Sequence, residues 1–126
     1  KQGGKMETKD RYIKTRKGYT IREQEKKIEA KFRDRIKELG GIAYKFVSPG
    51  NAGVPDRLVI LPDGKMGFAE LKRYNGNPSK LQKMQMSFIK KLGCFVMVID
   101  SIEDIDTFIK GISLWYDSRK KEKYEI

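Results

Sequence analysis

Asp56, Glu70 and Lys72 are the residues whose types and spacing suit chemistry. Asp56 and Glu70 lie fourteen residues apart, in the order Val54-Pro55-Asp56, an apolar run, Pro62-Asp63-Gly64, a second apolar run, then Glu70-Leu71-Lys72. Two strands joined by a tight turn account for that order. A two-residue turn on Asp63-Gly64 sets Asp56 opposite Leu71, and a three-residue turn beginning at Pro62 sets it opposite Glu70. Side chains alternate along a strand, so Glu70 and Lys72 share a face, and facing or diagonal neighbours across a hairpin come within reach. Either register brings two carboxylates and an ammonium group to one spot. Adjacent carboxylates repel unless a cation lies between them, and hard oxygen ligands suit Mg2+ or Mn2+. The chemistry that fits is metal-dependent hydrolysis of a phosphodiester. Asp56 and Glu70 would hold the metal, with the peptide carbonyl of Leu71 as a further oxygen ligand. Lys72 would act on the attacking water or on charge developing at the phosphate. The first role needs a depressed pKa and the second does not, which favours charge stabilisation. Taken singly, each residue has a plainer reading: Asp56 as a turn residue after proline, and Glu70 with Lys72 as an exposed ion pair on an edge strand.

The elements that must position these groups follow from periodicity. Thr20 and Glu23 have capping-box spacing, and Ile28, Phe32, Ile36 and Leu39 recur at helical intervals before Gly40-Gly41, which predicts a first helix over about residues 22–39. Ile42 to Val47, Arg57 to Leu61 and Met66 to Lys72 are strand-like runs divided by the loop from Ser48 to Pro55 and by Pro62-Asp63-Gly64. Ser79 with Gln82 forms a second capping box ahead of Leu81, Met84, Phe88 and Leu92, a helix that ends at Gly93. Cys94 to Asp100 reads as a buried strand, and Ser101 with Asp104 can cap a third helix carrying Ile105, Phe108, Ile109 and Ile112. The order is αβββαβα, an α/β chain in which the last strand returns parallel to the third, in a mixed sheet flanked by helices. Residues 1–19 hold seven basic and two acidic residues with little apolar periodicity, the mark of a flexible basic arm, and the first five precede Met6 as a cloning remnant would. Residues 20–112 form the expected domain. Residues 113–126, with Trp115, Tyr116 and Arg119-Lys120-Lys121, form a tail of weak pattern.

Composition sets the class. A chain of 126 residues with 28 Lys and Arg against 17 Asp and Glu carries a net charge of +11, which favours a polyanionic partner, DNA or RNA. No apolar run approaches the roughly 20 residues of a spanning helix, and no signal-peptide pattern opens the chain, so a soluble, cytoplasmic protein without a membrane partner is expected. A single cysteine, Cys94, excludes an internal disulfide and a cysteine-rich zinc site. The absence of histidine excludes mechanisms with a histidine base, nucleophile or metal ligand. Nothing indicates an organic cofactor.

Gly53-Val54-Pro55-Asp56 followed by Glu70-Leu71-Lys72 resembles the PD-(D/E)XK nuclease signature, and its setting is similar to the virus-type replication-repair nuclease (VRR-NUC) family. Further matches run from Glu25-Lys26-Lys27-Ile28-Glu29 to Gln82, Gly93 and Val98-Ile99-Asp100-Ser101, so the resemblance covers about residues 22–110. It implies a restriction-endonuclease-like core and a Mg2+- or Mn2+-dependent nuclease acting on DNA, with stand-alone members that are dimeric and cut branched DNA such as Holliday junctions. A homodimer is then the expected working form, because cutting both arms of a symmetric junction needs two sites held together. The resemblance points to Glu29 as a helix carboxylate completing the metal set, with Glu25 one turn earlier as the alternative. Either also reads as a solvated charge on an amphipathic helix. Gln82 matches the family's glutamine, which would orient water or contact substrate, yet capping alone explains its type. Gln85 is a further candidate.

Ser48, Asn51, Lys45, Arg57, Arg73, Lys80 and Lys83 are candidate phosphate contacts, and Tyr74 could stack on a splayed base. With no recognition helix or zinc finger, readout of DNA shape is expected in place of base sequence. The competing function is a non-catalytic basic nucleic-acid-binding module, in which the same charges only position phosphates.

Overall fold

Thr20 starts the first helix by a reciprocal cap: its Oγ1 accepts the Glu23 N–H at 3.1 Å, and Glu23 Oε1 accepts the Thr20 N–H at 2.9 Å. The computed structural model describes residues 20–124, so the arm expected over residues 1–19 lies outside the described residues. Helix α1 spans Ile21–Glu38 and buries Ile28, Phe32 and Ile36 along one stripe. Strands β1 (Ile42–Lys45), β2 (Arg57–Leu61) and β3 (Lys65–Leu71) follow, then α2 (Lys80–Lys91), β4 (Val96–Ile99) and α3 (Ile102–Tyr124). The αβββαβα order expected from periodicity is present.

The four strands form one sheet in the order β1-β2-β3-β4, antiparallel except for the parallel pair β3 and β4. Leu61 pairs with Lys65 and Arg57 with Ala69, which selects the three-residue turn on Pro62–Gly64. Asp63 adopts φ 70 there, a left-handed conformation that aspartate tolerates better than most residues. This register extends to Asp56 opposite Glu70. Strand β1 stops at Lys45, two residues before the expected Val47, but Phe46 N–H still donates to the Asp56 carbonyl at 2.7 Å.

One sheet face carries Val59, Leu61, Ala69 and Ile99, which pack against Ile28, Phe32 and Ile36 of α1 and Ile105, Phe108 and Ile112 of α3. Phe32 and Phe95 each meet Phe108 edge-on, with ring centroids 5.5 and 5.6 Å away. The other face is covered mainly beside β4, where α2 packs with Met86 inward. The apolar residues expected as the stripe of α2 turn outward: Met84 is 60% exposed, Phe88 59% and Leu92 68%. Gln82, Gln85, Met86 and Ile89 lie toward the sheet instead. The helix is rotated by its N-terminus, where Gln82 reaches into the sheet (below). The segment expected as a tail from residue 113 is the continuation of α3 as far as Tyr124. Tyr116 packs on the core and Asp117 pairs with Lys65 at 3.6 Å, tertiary contacts that hold this part of the helix, and within the helix Arg119 lies 4.1 Å from the Trp115 ring centre.

Candidate active site

Asp56 stands at the entry to β2, where the chain leaves the loop through Gly53 and the buried Pro55. Gly53 has φ +89, and a Cβ built there would lie 2.9 Å from Leu81 Cγ, so the loop and the start of α2 meet at a position only glycine fills without strain. From this entry Asp56 Oδ2 accepts the Leu71 N–H at 3.0 Å. The bond ties the first carboxylate to the backbone between Glu70 and Lys72. In an extended strand a residue's N–H and C=O point to the same neighbour, so the Leu71 carbonyl also faces the Asp56 side.

Glu70 is 1% exposed. Its Oε2 accepts from Gln82 Nε2 at 2.8 Å and lies 3.4 Å from Lys72 Nζ, while Oε1 is buried without a hydrogen-bond partner. Burial and the neighbouring charge of Asp56 push the Glu70 carboxyl up to about 7 from 4.5, and the attraction of Lys72 does not offset them. Burial likewise raises Asp56, against the Leu71 N–H and Lys72, which favour its charge.

A buried carboxylate and a half-buried one that repel each other, with one oxygen unsatisfied, are a donor set suited to a hard divalent cation. Asp56, Glu70 and the Leu71 carbonyl fit such an ion. Among the described residues no group of three or more His, Cys, Asp or Glu is arranged to hold a metal.

The other residues singled out by sequence fall in different places. Gln82 performs two tasks at once: Oε1 accepts the Ser79 N–H at 2.8 Å to complete the cap of α2, and Nε2 holds Glu70. Glu29 pairs with Arg57, at 2.5 Å between Oε2 and Nη2, and Glu25 is exposed one turn earlier. Arg57 does not fit a phosphate contact. It is only 6% exposed, and its guanidinium is committed to Glu29 and to the Ala43 carbonyl, 3.0 Å from Nη1. Ser48 and Asn51 bond to each other, through Asn51 Nδ2 to Ser48 Oγ at 3.0 Å. Lys45, Lys80 and Lys83 are exposed, and Arg73 Nη1 donates to the Tyr74 carbonyl at 3.1 Å. Tyr74 is 52% exposed in the loop before α2. Gln85 bonds the Ala52 carbonyl and so braces the loop. The Arg57 pair escapes sequence reading because its partner lies 28 positions away. A basic residue alternating with Val59 and Leu61 on a buried face was the available signal.

No family model matches the chain. A phage protein named "Putative nuclease p44", from Acyrthosiphon pisum secondary endosymbiont phage 1, is 41% identical over 90 residues, covering 71% of this chain and 96% of that relative. A solved structure described as "VRR_NUC domain" superposes with a TM-score of 0.65 at 33% identity, covering 69% of this chain and 95% of the other. With this sequence likeness over nearly the whole of both relatives and the shared mixed-sheet fold, the chain belongs to the VRR-NUC family of nucleases.

Proposed function

We propose that the protein is a Mg2+- or Mn2+-dependent structure-selective DNA endonuclease, acting on branched DNA such as Holliday junctions. The observation that carries the reading is the buried, unpartnered Oε1 of Glu70 beside Asp56. A structural ion pair would satisfy both oxygens, whereas an ion-binding carboxylate keeps one available. A basic chain of net charge +11 supplies the long-range attraction for a phosphate backbone.

In this reading Asp56, Glu70 and the Leu71 carbonyl hold the cation. Bound there, it supplies Lewis acidity to the scissile phosphate and acidifies water. Lys72, 21% exposed at its side chain and 3.4 Å from Glu70, provides positive charge to the developing phosphate anion. Gln82 keeps Glu70 in one orientation. Lys45, Lys80 and Lys83 hold the backbone of the substrate from exposed positions, and Ser48 and Asn51 do so from the loop.

A homodimer is part of the proposal. The sheet face away from α1 and α3 presents Ile42, Tyr44 and Met66, and α2 presents Met84, Phe88 and Leu92, all substantially exposed. Pairing of these surfaces across a two-fold axis would cover them and place two sites on one assembly.

Cleavage of four-way, flap and linear DNA with Mn2+ or with EDTA tests the reading. Wild-type protein should cut the four-way substrate only with Mn2+, and Asp56→Asn should not cut it. If both Asp56→Asn and Lys72→Ala cut at the wild-type rate, the site is misassigned. A non-catalytic module would need no divalent ion and would bind DNA more tightly once Asp56 and Glu70 are neutralised.

A further inference from the structure

Strand β4 ends the sheet, so one of its two edges has no neighbouring strand among the described residues. The Phe68 and Lys72 N–H groups donate to the Phe95 and Ile99 carbonyls at 2.8 and 2.9 Å, which fixes the positions of β4 that face β3. Bonding alternates along a strand, so Val96 and Val98 turn their N–H and C=O groups to the open side. There they meet no other described backbone group. The strand itself, Val96–Ile99, contains no charge and no proline, the usual means of discouraging a further strand.

Beside this edge lies a groove of about 260 Å³ between α2 and β4. Met86, Val96 and Val98 give it an apolar lining, and Lys83, Ser87 and Lys90, at i, i+4 and i+7 of α2, form its polar rim. All three rim residues are exposed, and neither lysine has an ion-pair partner among the described residues. Helix α2 contains four lysines and no acidic residue. An occupant of the groove must therefore bring negative charge. A second copy of the chain is a poor match, because its own edge carries the same lysines and its net charge is +11. A phosphate backbone would answer the lysines, but it has no N–H donor for the outward carbonyls of Val96 and Val98.

We propose that the open edge of β4 docks an acidic, extended segment of a partner protein, which adds a fifth strand to the sheet and sets its carboxylates against Lys83 and Lys90. Main-chain hydrogen bonds to Val96 and Val98 supply the pairing, and the lysines select the charge. The two lysines are rooted about 10 Å apart along the helix axis, which acidic residues two or four positions apart on one face of an extended segment can match. The nuclease reading uses neither this edge nor Lys90.

NMR titration of the nitrogen-15-labelled full chain in EDTA with the heptapeptide Glu-Val-Asp-Val-Glu-Val-Asp tests it. The Val96 and Val98 amides should shift saturably, and their hydrogen exchange should slow by about tenfold or more in the complex. Lys90→Glu, a change at an exposed position, should weaken binding by about threefold or more. The same peptide with lysine at every acidic position should not bind. Failure of the acidic peptide to bind would overturn the proposal, and so would binding that leaves exchange at Val96 and Val98 unaltered, the mark of charge attraction alone. If a short DNA duplex moves these two amides and the peptide does not, the groove belongs to nucleic acid and the proposal falls. It falls equally if their exchange in the free protein slows as protein concentration rises, because a second copy then occupies the edge.

Discussion

The carboxamide of Gln82 donates to Glu70 at 2.8 Å, so the side chain that caps α2 also holds the buried carboxylate. The two tasks separate by mutation. Ser79→Ala removes the cap and leaves the Glu70 contact, so it should lower stability by about 1 kcal/mol with Mn2+ affinity unchanged. Gln82→Leu keeps the Ser79 hydroxyl on the backbone N–H of residue 82 but removes the reciprocal bond and the Glu70 contact, and should lower stability and weaken Mn2+ binding about tenfold. Denaturant unfolding alongside calorimetry reads the two effects.

Glu70 should destabilise the protein when no metal is present. Its carboxyl is raised from 4.5 to about 7, so between those pH values the folded state holds a proton that the unfolded chain releases. Stability should fall as pH rises through that window and level off above it. At pH 8 in EDTA, Glu70→Gln should be more stable than wild type by on the order of 2 kcal/mol, and the gain should vanish near pH 4, where the carboxyl is protonated in both states. Urea melts across pH check this. Equal stability of the two proteins at pH 8 would show that the carboxylate is not strained.

Proton competition follows from the same shift. Metal binds the ionised form, so Mn2+ affinity should be flat well above pH 7 and fall by about tenfold per unit below it. Near pH 7 binding should release a proton, seen as a dependence of the calorimetric heat on the ionisation enthalpy of the buffer. Asp56, also raised, adds a further loss at lower pH.

The apolar surface of α2 makes a separate claim. Phe88→Lys replaces a side chain that is 59% exposed and outside the core, so the folded protein should persist. Sedimentation velocity should show a shift from dimer toward monomer. A wild-type protein that is monomeric at micromolar concentration would remove the dimer from the proposal.

Local signals carried most of the fold. The caps at Thr20 and Ser79, the turn at Pro62-Asp63-Gly64 and the apolar run from Cys94 to Asp100 each depend on residues close together; the caps and the turn have the expected structure, and the run forms a shorter strand, Val96–Ile99. Hairpin spacing alone brought Asp56 and Glu70 to neighbouring positions. Contacts between distant segments were not legible in this way. The inward side of α2 is partly polar because Gln82 and Gln85 bond to Glu70 and to the Ala52 carbonyl, so an apolar-stripe reading turned that helix the wrong way. Arg57 looked like one more basic residue until its partner on α1 was placed. Trp115, Tyr116 and Asp117 had no helical stripe of their own, because that stretch is held by Tyr116 on the core and by the ion pair of Asp117 with Lys65.

Two glycines of the loop before Asp56 share a left-handed backbone and face different futures under sequence drift. Gly50, at φ +83, has nothing within 4 Å of where a Cβ would stand, so asparagine is a tolerable replacement. Gly53 has Leu81 against it, and any side chain there pushes the loop off the helix three residues upstream of the first carboxylate. Position 50 can therefore accept a side chain at little cost, while position 53 is closed to every residue but glycine.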